Sequence, residues 1–337
     1  MLARTARWLG SIALTFIGLT VVTFVIGRLV PIDPVLAVVG DHATTEVYQR
    51  ARLEMGIDLP IVTQYWRYLV HVVHGDFGTS VITSRPVLED LLRVFPATLE
   101  LSAFGLLIGV AAGIPMGVIS ASQRGRWPDQ VVRFGSLLGY STPIFWLGLV
   151  GLLVFYGDLG WVGGPGRLDV GYEDLVEPVT GLLTVDSLLA GEYGVFWNAL
   201  HHLVLPAAIL GVYSLAYVAR MTRSFMLGQL QQEYIVAAMA KGLSPARVLW
   251  VHALGNIWVP LITVIALTFG GLLEGAVLTE TVFAWPGLGL YLKNSLFNAD
   301  MNAVLGGTVL IGVVYIGLNL ISDLIYPLVD PRVRRAR

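Results

Sequence analysis

Six stretches of this chain contain no Asp, Glu, Lys or Arg and are long enough to cross a bilayer: residues 8–27, 101–123, 134–157, 193–219, 248–273 and 301–322. A hydrocarbon core takes about 20 apolar residues per helix, so each window predicts a span, the fourth and fifth with interfacial turns to spare. The expected fold is an all-α integral membrane protein with six transmembrane helices. Composition agrees. The 337 residues are 55% hydrophobic and 13% charged, against about 25% charged in soluble domains. Arg4 and Arg7 ahead of the first window resemble a signal peptide, but the apolar run is too long for one and no small-x-small cleavage site follows.

Orientation follows from the basic residues of the short loops. With the N-terminus inside, the inner segments hold Arg4, Arg7, Arg124, Arg126, Arg133, Arg220, Arg223, Lys241, Arg247, Arg332, Arg334, Arg335 and Arg337. Their only acids are Asp129, Glu233, Asp323 and Asp330. An even number of spans with both termini cytoplasmic satisfies this bias. A net charge of −2 gives no basic surface for nucleic acid. With no cysteine there is no disulfide framework, thiolate metal site or cysteine nucleophile.

Segment 31–97 follows the first span and is too polar to cross and too long for a turn, which predicts a small extracytoplasmic domain. Within it, 41–56 and 60–74 carry mixed helical periodicity and Gly75-Asp76-Phe77-Gly78 reads as a turn. The second outer loop, 158–192, has seven acids against Arg167 and is expected to be irregular or partly helical. The third, 281–300, contains Trp285-Pro286-Gly287-Leu288-Gly289 and is expected to fold back at the membrane surface. The membrane core would then be 98–325, with a cytoplasmic tail at 326–337.

One polar element stands between the apolar runs on the inner side, at 233–247. Tyr234 to Lys241 are good helix formers, Gly242 supplies a left-handed helix end, and Ser244-Pro245 supplies a cap and first residue for the next helix. Ala237, Ala238 and Ala240 leave little bulk, so a partner's surface can approach the backbone. Together with Glu233 these residues predict a docking knob that transmits force.

Here the chain becomes similar to a known family. Ala237-Ala238, three residues, then Gly242 and Pro245 resemble the EAA loop of ABC-transporter permease subunits, here 233–256, whose coupling helix sits in a groove of the ATPase. Tyr234-Ile235, Ala238, Ala240-Lys241-Gly242-Leu243-Ser244, then His252-Ala253-Leu254, Asn256 and Pro260 resemble the dipeptide and oligopeptide branch. So do Asp33-Pro34, Gly75-Asp76 with Gly78 and Ser80, Thr98-Leu99-Glu100-Leu101, Ser141 with Pro143 and Phe145-Trp146, Glu280-Thr281 with Phe283, 285–289, and Asp330-Pro331-Arg332. Val236 stands where the family has glutamate, Met239 where an arginine often lies, and Gly255 where an arginine precedes Asn256.

The resemblance implies a type I ABC importer fold in a bacterial inner membrane. It also implies a second homologous permease subunit, two cytoplasmic ATPase subunits, an extracytoplasmic peptide-binding protein, and contact with membrane lipid. The cargo would be dipeptides or short oligopeptides, with nickel or oligosaccharides as the same-family alternative. No G-K-S/T phosphate loop is present and the only lysines are Lys241 and Lys293. The chain is therefore expected to be no enzyme and to hold no cofactor, with ATP and Mg in the partners. A secondary transporter or channel would need buried charges along the spans, whose centres are charge-free.

His71 and His74 share a helix face, with Asp76 nearby, but are read as a surface helix end rather than a metal site. His201-His202, about 100° apart on a helix, read as interfacial. No nucleophile elbow or zinc-binding pair appears. Glu274 and Glu280 lie near the outer end of the fifth span, where an ionisable group is costly and marks function. Six positions separate them by about 240°, so they do not share a helix face. Glu280 fits the family pattern and suits structural hydrogen bonding, whereas Glu274 departs from it and is the specificity candidate. With Trp285 these make up the candidate substrate pathway.

Overall fold

The computed structural model describes residues 2–29, 34–40, 43–54 and 56–329, and their regular structure is helical apart from one isolated bridge between Thr79 and Pro86. Asp33, Asp41 and the tail from Asp330, which carry some of the expectations above, lie outside the described residues.

In chain order the helices are α1 (Leu2–Leu29), α2 (Pro34–Val39), α3 (Thr45–Glu54), α4 (Ile61–Val73), α5 (Val87–Ser122), α6 (Trp127–Ser141) and α7 (Ile144–Gly151), which runs on as π-helix to Asp158. Then come α8 (Leu183–Leu189), α9 (Tyr193–Leu230), α10 (Glu233–Ala240), α11 (Pro245–Arg247), prolonged to Ala253, α12 (Trp258–Val282), α13 (Leu288–Phe297) and α14 (Met301–Val329). Among the described residues four helices are long and apolar enough to span: α5, α9, α12 and α14 over Met301–Ile321. The apolar part of α1, Ile12–Gly27, is shorter.

The third apolar window is not one straight helix. α6 and α7 meet at 96° and make a fifth span only if counted together. The cause is local: Pro143 has no N–H to donate and disfavours helical backbone before it, and Thr142 is extended at φ −81, ψ 128. The fifth window is also displaced. Residues 248–253 prolong α11, and the apolar helix begins at Trp258 and runs to Val282, so Glu274 and Glu280 lie inside it.

The chain divides into two compact units, 1–95 with 290–317, and 96–289 with 318–337. In the first, α1 presents Thr20 and Thr23 to the Tyr65 and Tyr68 hydroxyls of α4, at 3.0 and 2.8 Å, with Phe24 packed on both rings. The expected turn at 75–78 forms with Gly75 and Gly78 at positive φ. Gly78 N–H and His71 both bind Asp76 and hold its carboxyl below the usual range. Asp300 accepts from Ser80 Oγ at 2.6 Å and Val81 N–H at 2.9 Å, closing the next loop.

The second unit is built around α9. One core joins Val118 of α5, Val218 and Met226 of α9, and Leu261 of α12; a second joins Leu101, Leu203, Leu210 and Leu272. Along α5, Gly105, Gly109, Gly113 and Gly117 recur every four residues on the side facing α9. A Cβ at Gly109 would sit 1.8 Å from Ser214 Oγ, and one at Gly117 would sit 2.7 Å from the Ala219 carbonyl. The two backbones touch because nothing larger than hydrogen stands between them, as in small-residue packing of membrane helices.

Candidate functional site

The corner between α10 and α11 is held by backbone hydrogen bonds. Gly242 has φ +78. Its N–H donates to the Met239 carbonyl at 2.9 Å, and the Leu243 N–H reaches back to Ala238 at 3.3 Å. These two bonds are a Schellman end, which requires a left-handed residue after the helix and selects glycine. Ser244 then caps α11, its Oγ accepting the Arg247 N–H at 3.4 Å, with Pro245 at the first helical position. Tyr234 Oη donates to Gln229 Oε1 at 2.8 Å, tying α10 to the end of α9.

The candidate residues divide between two faces. Glu233, Tyr234, Ala237, Ala240, Lys241, Gly242, Ser244 and Pro245 are exposed, as are Val236 and Met239. Ala238 faces inward beside Ile235, both packed with Met226, Val248, Leu254 and Leu261. Leu243, just past the corner, joins the same cluster. α10 therefore offers a mostly apolar exposed face while its other face is embedded among α5, α9 and α12.

A second inner feature escaped sequence reasoning. Asp129, in the first turn of α6, is 1% exposed. It accepts from Arg223 Nε at 2.7 Å and Nη2 at 3.0 Å, from Ser120 Oγ at 2.6 Å and from Gly125 N–H at 2.9 Å. The ends of α5, α6 and α9 are thus joined at one carboxylate with four donors. The pairing spans 94 positions, and no local pattern announces it.

At the other end of the unit two distant motifs meet. Glu280, 0% exposed, accepts from Thr98 Oγ1 at 2.5 Å, and Thr98 Oγ1 accepts the Leu288 N–H at 2.7 Å. Trp285, also buried, donates its Nε1–H to the Ala97 carbonyl at 2.9 Å. Gly287 makes this possible, since a Cβ there would lie 2.3 Å from the Glu280 carboxylate. Glu280 and Trp285 are buried in this knot, while Glu274 is exposed on another face of α12.

The second outer loop is irregular around α8 and a short turn at Val170–Tyr172. It is pinned by Arg167, which donates to Glu100 and lies 5.5 Å from the Trp285 ring. His202, buried in α9, turns Nδ1 to the Gly164 carbonyl at 2.9 Å and Nε2 to Asp169 at 3.2 Å. Asn198 and then His202 hold the Asp169 carboxyl below its ordinary range. Burial raises the Asp186 carboxyl, but Thr180 and the N–H groups of Gly181 and Val179 outweigh it and the net direction is down. His71 pairs with Asp76 and His74 turns to the Val70 carbonyl, so neither imidazole faces a common centre.

Comparison with known proteins follows this geometry. Residues 113–335 match the family described as binding-protein-dependent transport system inner membrane component, and residues 1–102 match its N-terminal region. A probable D,D-dipeptide transport system permease protein, DdpB of Escherichia coli K12, is 46% identical over 96% of this chain and 95% of its own. The di/tripeptide transport system permease protein DppB of Pseudomonas aeruginosa UCBPP-PA14 is 44% identical over the full length of both. The dipeptide transport system permease protein DppB of Escherichia coli K12 is 42% identical, again over both full lengths. Among solved structures, a chain of the inward-facing MetNI methionine ABC transporter aligns with a TM-score of 0.52 at 18% identity, covering 71% of this chain and 96% of that one. That likeness carries the fold alone. The family consists of membrane transport components and not of enzymes. With two thirds of its length matching the core family and its N-terminal part matching the companion region, this chain belongs to the binding-protein-dependent transport system inner membrane components.

Proposed function

We propose that this chain is one of two permease subunits of an ATP-driven importer of dipeptides or short oligopeptides. The observation that carries the reading is the 42–46% identity, over nearly the whole chain, to permeases named for di- and tripeptides. The partners are a second, homologous permease, two cytoplasmic ATPases that hold ATP and Mg, and an extracytoplasmic peptide-binding protein. Closure of the ATPases moves α10, and the core around Ile235 and Ala238 passes that movement to the long helices.

In this reading six spans place both termini in the cytoplasm of a bacterial inner membrane. Residues 31–97 form the extracytoplasmic domain, 98–325 the core with its coupling loop at 233–256, and 326–337 the tail. Val170, 84% exposed in the second outer loop, and Ser122, exposed at the end of α5, report the topology. Val170→Cys should be labelled by an impermeant maleimide from outside the cell, and Ser122→Cys only after the membrane is opened. Labelling of both from outside overturns the arrangement.

Import itself is tested by reconstituting the chain with its partners and following dipeptide uptake with ATP. Glu274 is exposed on α12, whose other carboxylate, Glu280, is buried, and an ionised group there requires water, a partner or a ligand. We assign it to attracting the peptide's ammonium end, whereas Glu280 and Trp285 hold the edge of the pathway from within. Glu274→Gln then lowers uptake by about tenfold or more, from a charge-assisted contact of about 1.5–3 kcal/mol, with assembly unchanged. Equal uptake across several dipeptides removes Glu274 from the route.

A further inference from the structure

α6 and α9 line a half-open cavity of about 550 Å³, within the few hundred to a thousand Å³ typical of small-ligand sites. Its walls include Arg133, Ser136, Tyr140, Ala216, Arg220 and Ser224. The Arg220 guanidinium lies over two aromatic rings, 5.1 Å from Tyr140 and 5.4 Å from Tyr217, and Tyr140 is itself stacked on Tyr213 at 5.3 Å. Gly139 lets the walls approach: a Cβ there would meet Val212 at 3.1 Å.

The charges in this cavity do not balance within the chain. Of its three arginines, Arg223 is engaged by Asp129, whereas Arg133 and Arg220 have no carboxylate partner among the described residues. A guanidinium set against aromatic faces keeps its N–H groups for a planar acceptor at its edge, and it binds a carboxylate bidentately. Arg220 directly follows the charge-free window 193–219 of α9 and is exposed, as is Arg133, so both guanidinium groups are open to an anion.

We infer that this cavity is an anion site on the transport path, in which Arg220, seated on Tyr140 and Tyr217, receives the C-terminal carboxylate of the passing peptide. This rests on the importer reading above and deepens it. The aromatic walls tolerate side chains of many shapes, so the site reads the common terminus of a dipeptide rather than its sequence. The Arg133 guanidinium at the same cavity adds to the attraction.

The test uses the whole complex in vesicles, with dipeptide uptake and peptide-stimulated ATPase as readouts. Arg220→Gln should lower uptake about tenfold, the worth of one charge-assisted contact, while the complex still assembles. Arg220→Lys should recover part of it, because a point charge still attracts a carboxylate although it gives up the bidentate geometry and the stacking. The lysine variant as poor as the glutamine one would assign Arg220 to packing and overturn the proposal. So would unchanged uptake in Arg220→Gln, or loss of the partner permease on purification. Since a lipid phosphate offers the same chemistry, the comparison is repeated in neutral phosphatidylcholine and in vesicles containing phosphatidylglycerol. An equal defect in both supports the peptide carboxylate, and a defect confined to the anionic lipid assigns the site to headgroups and overturns it. Failure of the wild-type complex to take up dipeptide at all would instead sink the importer reading.

Discussion

Gly242→Val is expected to insert and assemble normally and to keep basal ATPase activity in the reconstituted complex, yet to lose both peptide uptake and the stimulation given by peptide-loaded binding protein. At φ +78 a β-branched residue is strained by roughly 1–3 kcal/mol. A Cβ there meets nothing within 4 Å, so backbone conformation and not crowding sets the effect. Relief of that strain breaks the bonds from Gly242 and Leu243 to Met239 and Ala238, and α10 tilts away from the core that holds Ile235. Gly242→Asn is the control, since asparagine enters the left-handed region readily, and it should transport near the wild-type rate. Stimulation retained in the valine variant would show that this corner does not carry the stroke.

The second large effect is on stability. Asp129→Asn leaves Arg223 beside a neutral amide and sets an NH₂ group against donors, and breaking such a pair by one partner typically costs about 3–5 kcal/mol. The melting temperature of the purified complex should fall by several degrees. Arg223→Gln should do the same, and the double variant should lose little more than either single, because each already breaks the one interaction. A double variant whose loss equals the sum of the two would refute the clamp.

How far the sequence led is best judged at particular residues. The coupling corner was legible because its chemistry is local: Gly242, Ser244 and Pro245 each impose a backbone choice on the neighbouring residue. The apolar windows likewise located α5, α9 and α14, and overlapped α12 with a shift of about ten residues. The bend at Thr142–Pro143 was written in the sequence but invisible to charge counting, which registers polarity and not broken hydrogen bonds. Ala238 and Ala237 look alike in the chain, and only tertiary packing decides that one faces the core. The Thr98–Glu280 and Asp129–Arg223 pairs join residues 182 and 94 positions apart, beyond any window. Two features could have been read and were passed over: glycines at 105, 109, 113 and 117, and Tyr213, Tyr217 and Arg220 at helical spacing on α9.

The glycine seam of α5 has a consequence for how the chain is made. Its complement, α9, ends at Leu230, whereas α5 ends at Ser122, so the ribosome adds roughly 100 residues between them, which takes about 5 to 20 s at typical rates of synthesis. Through that interval α5 sits in the bilayer with a bare backbone groove and nothing to fill it. Lipid tails give two inserted helices no hydrophobic reason to find each other, so the pair can form only when Leu210, Ser214 and Thr222 arrive in register. Biogenesis of this protein therefore includes a waiting period, set by the separation of α5 and α9 in the chain, before the seam can close.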